Sequence, residues 1–158
     1  MDNIRINDVR LSRELFQLDL LYVSGSSDAD LNFLKALAAL RINIEFLTRT
    51  CIGERSRSSF CIRSEFHDKV MGLLDSEPSL KDIAKLTPSV GLVTLFPHRF
   101  SLMILGLSLN ALEMARIPIH GIASSISSIT FVTDFVSLEK AVKELREGLL
   151  HGNDRRLL

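Results

Sequence analysis

Two stretches of this chain, ALAALRINIEFL at Ala36–Leu47 and ALEMARIPIHGI at Ala111–Ile122, repeat one pattern 75 residues apart. Each starts as a helix and ends in extended alternation, with only a few residues between. Such a repeat constrains the fold strongly, because each copy must be a similar unit of structure. Two further matches keep the same order. LLYVS at Leu20–Ser24 resembles LVTLF at Leu92–Phe96, 72 residues on, and SFCIRSEF at Ser59–Phe66 resembles SITFVTDF at Ser128–Phe135, 69 residues on. The fall from 75 to 69 puts a six-residue surplus into the first copy between the second and third matches. IGERSR lies there and reads as a longer hairpin loop.

Each copy has a legible element order. Phe16, Leu18, Leu20 and Tyr22 recur at period two and predict a strand. SGSSDAD follows, with Asp28 or Asp30 placed to cap the next helix. In that helix Phe33, Leu34, Leu37, Ala38 and Leu40 form the apolar face, with Asp30, Asn32, Lys35 and Arg41 toward water. Ile42, Ile44 and Phe46 predict a second strand, Phe60 and Ile62 a third, and His67 to Leu74 a short helix. The second copy repeats this order: strand at Val90–Leu95, helix at Leu102–Ala115, strands at Ile119–Ala123 and Ile129–Thr133, and a last helix capped by Ser137. Pro118 suits an abrupt return from helix to strand.

The unit is strand, helix, strand, strand, helix, and a fourth strand completes a ferredoxin-like βαββαβ layer. For the first copy, Lys81–Thr87 supplies that strand or else a helical turn. The second copy has no candidate after its last helix, and Ile4–Leu11 at the N-terminus fills the place. The expected fold is therefore α+β, two such repeats with helices on one face of each antiparallel sheet. The expected boundaries are 14–88 for the first repeat and 89–150 for the second, completed by an N-terminal strand from 3–11.

These segments resemble ACT domains. ALAALRINIEFL followed by a polar hairpin looks like their ALAEAGINV-type segment. The stretch IHGIASSISSITFVTDFVSLEKAVKELREGL is similar to the closing repeat in the tandem ACT regulatory region of aspartate kinases, where one repeat is inserted in the other. The resemblance covers roughly residues 15–150. It implies a non-catalytic regulatory module that binds a small amino-acid effector, pairs its ACT sheets in a homodimer, and controls an attached or separate kinase-like enzyme. An alternative is a dimerisation module that has lost its ligand. The amino-acid-kinase catalytic domain has no room in these 158 residues.

Several family positions are altered. The first loop carries GSSD at Gly25–Asp28 without proline, and its counterpart PHRF at Pro97–Phe100 lacks glycine. Arg41 stands where the family has glycine. Asn43 is kept, but Pro118 takes its place in the second copy. Mapped through the resemblance, the effector site is Gly25, Ser26, Ser27, Asp28, Asn43, Ile44, Glu45 and Arg49. A weaker second site is Pro97, His98, Arg99 and His120. Loop amides at a helix start suit a carboxylate, and Glu45 an ammonium group. The plainer roles are capping for Asp28, and a solvated pair on the outer face of the sheet for Glu45 with Arg49.

Other functions find little support. The 19 basic and 19 acidic side chains balance, so the counterion-displacing charge of a nucleic-acid binder is missing. One tyrosine and no tryptophan leave few stacking platforms for RNA. Arg49, Arg55, Arg57 and Arg63 form a basic run that Glu54 and Glu65 dilute. No apolar run reaches the roughly 20 residues of a membrane helix. The N-terminal MDNIRINDVR has no signal-peptide character, which makes the cytoplasm the expected location. Cys51 and Cys61 flank a turn as reduced thiols, and the four histidines have no metal-ligand spacing. No cofactor is expected. No serine-hydrolase elbow or glycine-rich phosphate loop occurs.

Overall fold

The computed structural model describes residues 6–23, 28–97 and 101–151. Among the described residues seven strands and five α-helices follow one another: β1 (Ile6–Leu11), β2 (Leu15–Val23), α1 (Ala29–Ala39), β3 (Phe46–Ile52), β4 (Arg55–Arg63), α2 (His67–Ser76), the short α3 (Pro78–Lys81), β5 (Ala84–Pro97), α4 (Ser101–Met114), β6 (Gly121–Ser124), β7 (Ile129–Asp134) and α5 (Leu138–His151). The chain divides into two compact units, Glu14–Val90 and the pair of segments Met1–Arg13 with Gly91–Leu158. β5 crosses that division, its first half in one unit and its second half in the other.

Within Glu14–Val90 the strand order is β3-β4-β2-β5, all neighbours antiparallel. Within the other unit it is β6-β7-β5 with β1 on the far side of β5. Counted from the strand before each first helix, both orders are second-third-first-fourth, as in a ferredoxin-like layer. β1 does for its unit what the start of β5 does for the other. α3 and β5 together resolve the choice at Lys81–Thr87, because a helical turn and a strand follow in succession there.

Each unit closes its own core. Phe16, Leu18 and Leu20 of β2 and Phe60 and Ile62 of β4 meet Phe33 and Leu37 of α1 and Val70 and Leu74 of α2. In the other unit Val93 and Leu95 of β5 and Ile129 and Phe131 of β7 meet Ile104 and Leu112 of α4 and Leu138, Ala141, Leu145 and Leu149 of α5. The helices lie on one face of each sheet. Burial of such side chains, worth about 1.5–3 kcal/mol each, drives both closures. α4 and α5 approach closely, since a Cβ on Gly148 would fall 2.8 Å from that of Ala111.

The abrupt turn from helix to strand has one cause in both copies. Arg41 and Arg116 are left-handed, at φ 54° and 55°. After α1 the amides of Arg41 and Ile42 donate to the carbonyls of Ala38 and Leu37 at 3.0 and 2.9 Å. After α4 the amides of Arg116 and Ile117 donate to Glu113 and Leu112 at 2.9 and 3.0 Å. This paired closure ends a helix and turns the chain back, and it is usually built on glycine. The buried Ile42 and Ile117 that follow then lock each turn onto its core.

Four readings of the repeat need correction. Glu45 N–H donates to Cys61 O, and His120 N–H to Val132 O, so the third match is offset by 71, not 69. Val93 and Leu95 take the core places of Leu18 and Leu20, an offset of 75, not 72. The surplus in the first copy is then four residues rather than six, and it lies in longer strands. β3 and β4 have 7 and 9 residues against 4 and 6 in β6 and β7. IGERSR is no long loop, because Ile52 pairs with Arg55 across a two-residue turn at Gly53, whose φ is 59°. The second strand of the first copy also begins at Phe46 rather than Ile42.

Candidate functional site

The start of α1 gathers a polar cluster. Asp30 lies in the first turn, one of its carboxylate oxygens accepting from Tyr22 Oη at 2.6 Å and from Ser58 Oγ at 2.7 Å. Arg49 Nε of β3 stands 3.3 Å from the same oxygen. The second oxygen, Oδ1, is buried and has no hydrogen-bond partner among the described residues. Four elements therefore converge on one carboxylate: β2, α1, β3 and β4. Tyr22 faces this cluster because it ends the inward row of β2, and Ser58 because it lies two residues before Phe60. Burial and the hydrogen bond to Asp30 hold the Tyr22 phenol above its ordinary pKa. A carboxylate with one open lone-pair direction beside an accessible guanidinium can meet both a cationic and an anionic group.

Asp28 occupies the N-cap position but is exposed and makes no side-chain cap bond, so capping is not its role. Its carbonyl accepts from the Asn32 amide at 2.8 Å. Asp30, expected to face water, is the residue that turns inward. Asn43 is exposed and Ile44 packs half-buried on the first core. Glu45 does not pair with Arg49. Its carboxylate lies 3.6 Å from Arg63 Nε, while Arg63 also holds Glu65 at 3.0 Å. Gly25, Ser26 and Ser27 lie outside the described residues.

In the second unit the equivalent of Glu45 is His120, and the equivalent of Arg63 is Asp134. These also meet, His120 Nε2 lying 2.7 Å from Asp134 Oδ1. The pair is the same contact with the acidic and the basic residue exchanged. His120 is thus tied to the end of β7. Pro97 ends β5, and His98 and Arg99 lie outside the described residues. The places of Tyr22, Asp30, Arg49 and Ser58 fall on Pro97, Leu105, Ser124 and Ile129. No carboxylate stands there, and Ile129 is a core residue.

Cys51 and Cys61 are free, and they are not cross-strand partners, since Cys51 pairs with Ser56 and Cys61 with Phe46. Burial, with the Asp19 carboxylate nearby, pushes the Cys61 thiol up to about 12. It is therefore a packed thiol rather than a nucleophile. Asp19, buried on the sheet face away from the helices, accepts from Arg57 at 2.6 Å and from Gln17 at 2.9 Å. Among the described residues no group of histidine, cysteine and carboxylate side chains is arranged to hold a metal, and no helix is long and apolar enough to cross a membrane.

The fold has clear counterparts. The ligand-free regulatory subunit of aspartate kinase from Thermus thermophilus superposes with a TM-score of 0.76 at 19% identity, over 90% of this chain and 97% of that one. Aspartate kinase from Clostridium acetobutylicum matches with a TM-score of 0.77 at 18% identity, over 92% of this chain and 35% of that one. Escherichia coli aspartokinase III, in complex with lysine and aspartate in its T-state, matches at 0.63 and 16%, over 94% of this chain and 34% of that one. No sequence profile of a protein family matches, and no curated sequence does. The chain thus has the α+β fold of the ACT-containing regulatory subunits and regions of aspartate kinases. What it spans is the length of such a regulatory subunit and about a third of the complete enzyme.

Proposed function

We propose that this chain is a non-catalytic regulatory module of the tandem ACT type, which senses a small amino-acid effector and passes the signal to a kinase-like enzyme. On this reading the two units are its ACT repeats, the first inserted between β1 and the remainder of the second. Its likeness to a regulatory subunit over almost the whole of both chains supports that reading. The observation that carries effector sensing is the unpartnered Oδ1 of Asp30 beside Arg49 in one unit, where the other has Leu105 and Ser124 and no charged group. The effector's ammonium group goes to Asp30 and its carboxylate to Arg49, with Gly25, Ser26 and Ser27, which precede α1 in sequence, and Asn43 as further candidate contacts. Pairing with a second copy through the ACT sheets belongs to the same reading, as does a cytoplasmic site of action. The effector shifts the regulated enzyme only by its differential affinity for the two arrangements of that pair.

The test is thermal unfolding of the full chain with each of the twenty amino acids at millimolar concentration. One or a few related amino acids raise Tm, and the rise disappears in Asp30→Asn while His120→Ala keeps it. Binding of a ligand at a hundred times its Kd corresponds to about 2.7 kcal/mol, a readily measured shift. Silence across all twenty supports the other reading, a dimerisation module without a ligand.

A further inference from the structure

Asp30 already has a cation beside it with no effector present. Arg49 Nε lies 3.3 Å from its Oδ2, beyond the about 2.7–2.9 Å of a charge-assisted hydrogen bond. A second arginine–aspartate pair, on the opposite face of the same sheet, is built differently. Arg57 reaches Asp19 at 2.6 Å, and Asp19 is 3% exposed with Gln17 as a further donor. The Arg57 contact is closed and short, whereas the Arg49 contact is loose.

Of the three described groups on the Asp30 carboxylate, two are fixed in place. Ser58 is fully buried and Tyr22 half-buried, and both donate short hydrogen bonds to Oδ2. Arg49 is the third, and 58% of its side chain is exposed. Its backbone is held in β3 opposite Ser58 of β4, so the side chain can turn while the strand stays paired. Asp30 itself is 19% exposed and its Oδ1 is buried. An ammonium group therefore reaches that oxygen only when a neighbour turns aside, and among the described neighbours Arg49 has the room to do so.

The charges decide which ligand can make it turn. An amine must outcompete Arg49 for Asp30 and offers the guanidinium no anion in exchange. A simple carboxylate attracts Arg49 but strips Asp30 of its countercharge in a mostly closed site, which is costly. A zwitterion supplies both partners at once. We propose that Arg49 is a self-occupying gate: it covers Asp30 in the empty site and swings onto the effector's carboxylate as the effector's ammonium group takes its place. This rests on the amino-acid site of the proposed function and adds how that site rejects ligands with a single charge. β3 is the outermost strand of its unit, so the exchange also alters the charge presented at that sheet edge.

Tyr22 is the only tyrosine of the chain, so its ring signals in an NMR titration of the full chain report on the site without ambiguity. The probes are the twenty amino acids, n-butylamine and butyrate. In wild type an amino acid shifts the Tyr22 ring, while n-butylamine and butyrate bind at least about tenfold more weakly. Arg49→Gln binds n-butylamine about tenfold more tightly than wild type does, and the amino acid about tenfold more weakly. Opposite signs are the signature, because a general loosening of the site would weaken both. Arg49→Lys keeps a cation at the gate and keeps the amine out. Arg49 is on the surface, so circular dichroism of each variant should match wild type. An amine affinity that Arg49→Gln leaves unchanged or lowers overturns the gate and leaves the amino-acid site standing. A wild type in which no amino acid moves Tyr22 overturns the effector reading. The amine then decides alone: a gain in Arg49→Gln upholds Arg49 as the cover of Asp30, and no gain overturns that as well.

Discussion

Where Phe33 fills the first core with its ring edge-on to Phe60 at 5.0 Å, the second unit has Ser108 at the same place on α4. Ser108 is fully buried and its Oγ has no partner among the described residues. Where Phe16 meets the His67 ring at 5.5 Å, the second unit has Gly91 under Leu138, so close that a Cβ would lie 2.7 Å from that side chain. Where Asp30 collects Tyr22, Ser58 and Arg49, the second unit has Leu105 and the core residue Ile129. The backbone frame, down to a left-handed arginine after each first helix, is held in common. The two units share the turns that close the layer and differ in the side chains that fill it. One unit has a carboxylate site at its helix start, and the other has Leu105 and Ile129 there and no charge.

The contrast can be broken most forcefully in the cores. Phe33→Ala removes a buried ring and should cost about 3–5 kcal/mol. Amide exchange should then show lost protection in β2 and β4, while β7 and α5 keep theirs. Protection lost equally in both units would mean that the two cores unfold as one.

Alkaline pH offers the next test. The Cys61 thiol titrates at about 12 in the folded chain against 9.0 for a free thiol. The folded state therefore holds its proton more tightly, and the resulting stability, present below pH 9, is lost as pH rises toward 12. Full loss is on the order of 4 kcal/mol. Val132 occupies the equivalent place in β7 and cannot titrate. Urea unfolding between pH 8 and 11 should show a steeper decline for wild type than for Cys61→Val. Equal slopes would contradict the assignment.

Smaller effects test the shared turn and the orphaned hydroxyl. Arg41→Gly and Arg116→Gly each relieve a left-handed side chain and should stabilise by up to about 1 kcal/mol, offset in part by unfolded-state entropy. The two should behave alike in urea melts, since the two turns have the same bonds. Ser108→Ala removes an unpaired buried hydroxyl and should raise stability by about 1 kcal/mol, whereas Ser58→Ala, which breaks a bond to Asp30, should lower it by a similar amount. Opposite signs in these two variants would sharpen the distinction between a polar site and its apolar counterpart.

Much of the frame is written in periodicity. Phe60 and Phe131 stand out because their strands alternate, and α5 because its leucines recur at helical spacing. Sequence alone does not separate an offset of 69 from one of 71, because a two-residue slip keeps every side chain on its proper face. The offset of 72 against 75 has a different origin. In β5, Leu92, Val93 and Leu95 are all buried, on both faces of the strand, so alternation is lost. Asp30 was hidden because its partners come from three strands, at distances in sequence of 8, 19 and 28 residues. Helical spacing in fact puts Asp30 on the inner face of α1, three, four and seven residues before Phe33, Leu34 and Leu37, and what it cannot show is which strand residues meet it there. Glu45 with Arg63, like His120 with Asp134, is a contact between a strand entry and a neighbouring strand's end, which no local pattern reveals.

The central claim is that one repeat senses and the other does not. Titration calorimetry with the amino acid that most raises Tm tests it directly. One effector bound per chain, with binding abolished in Asp30→Leu, is the expected result. Two effectors per chain, or full affinity in Asp30→Leu, would contradict it.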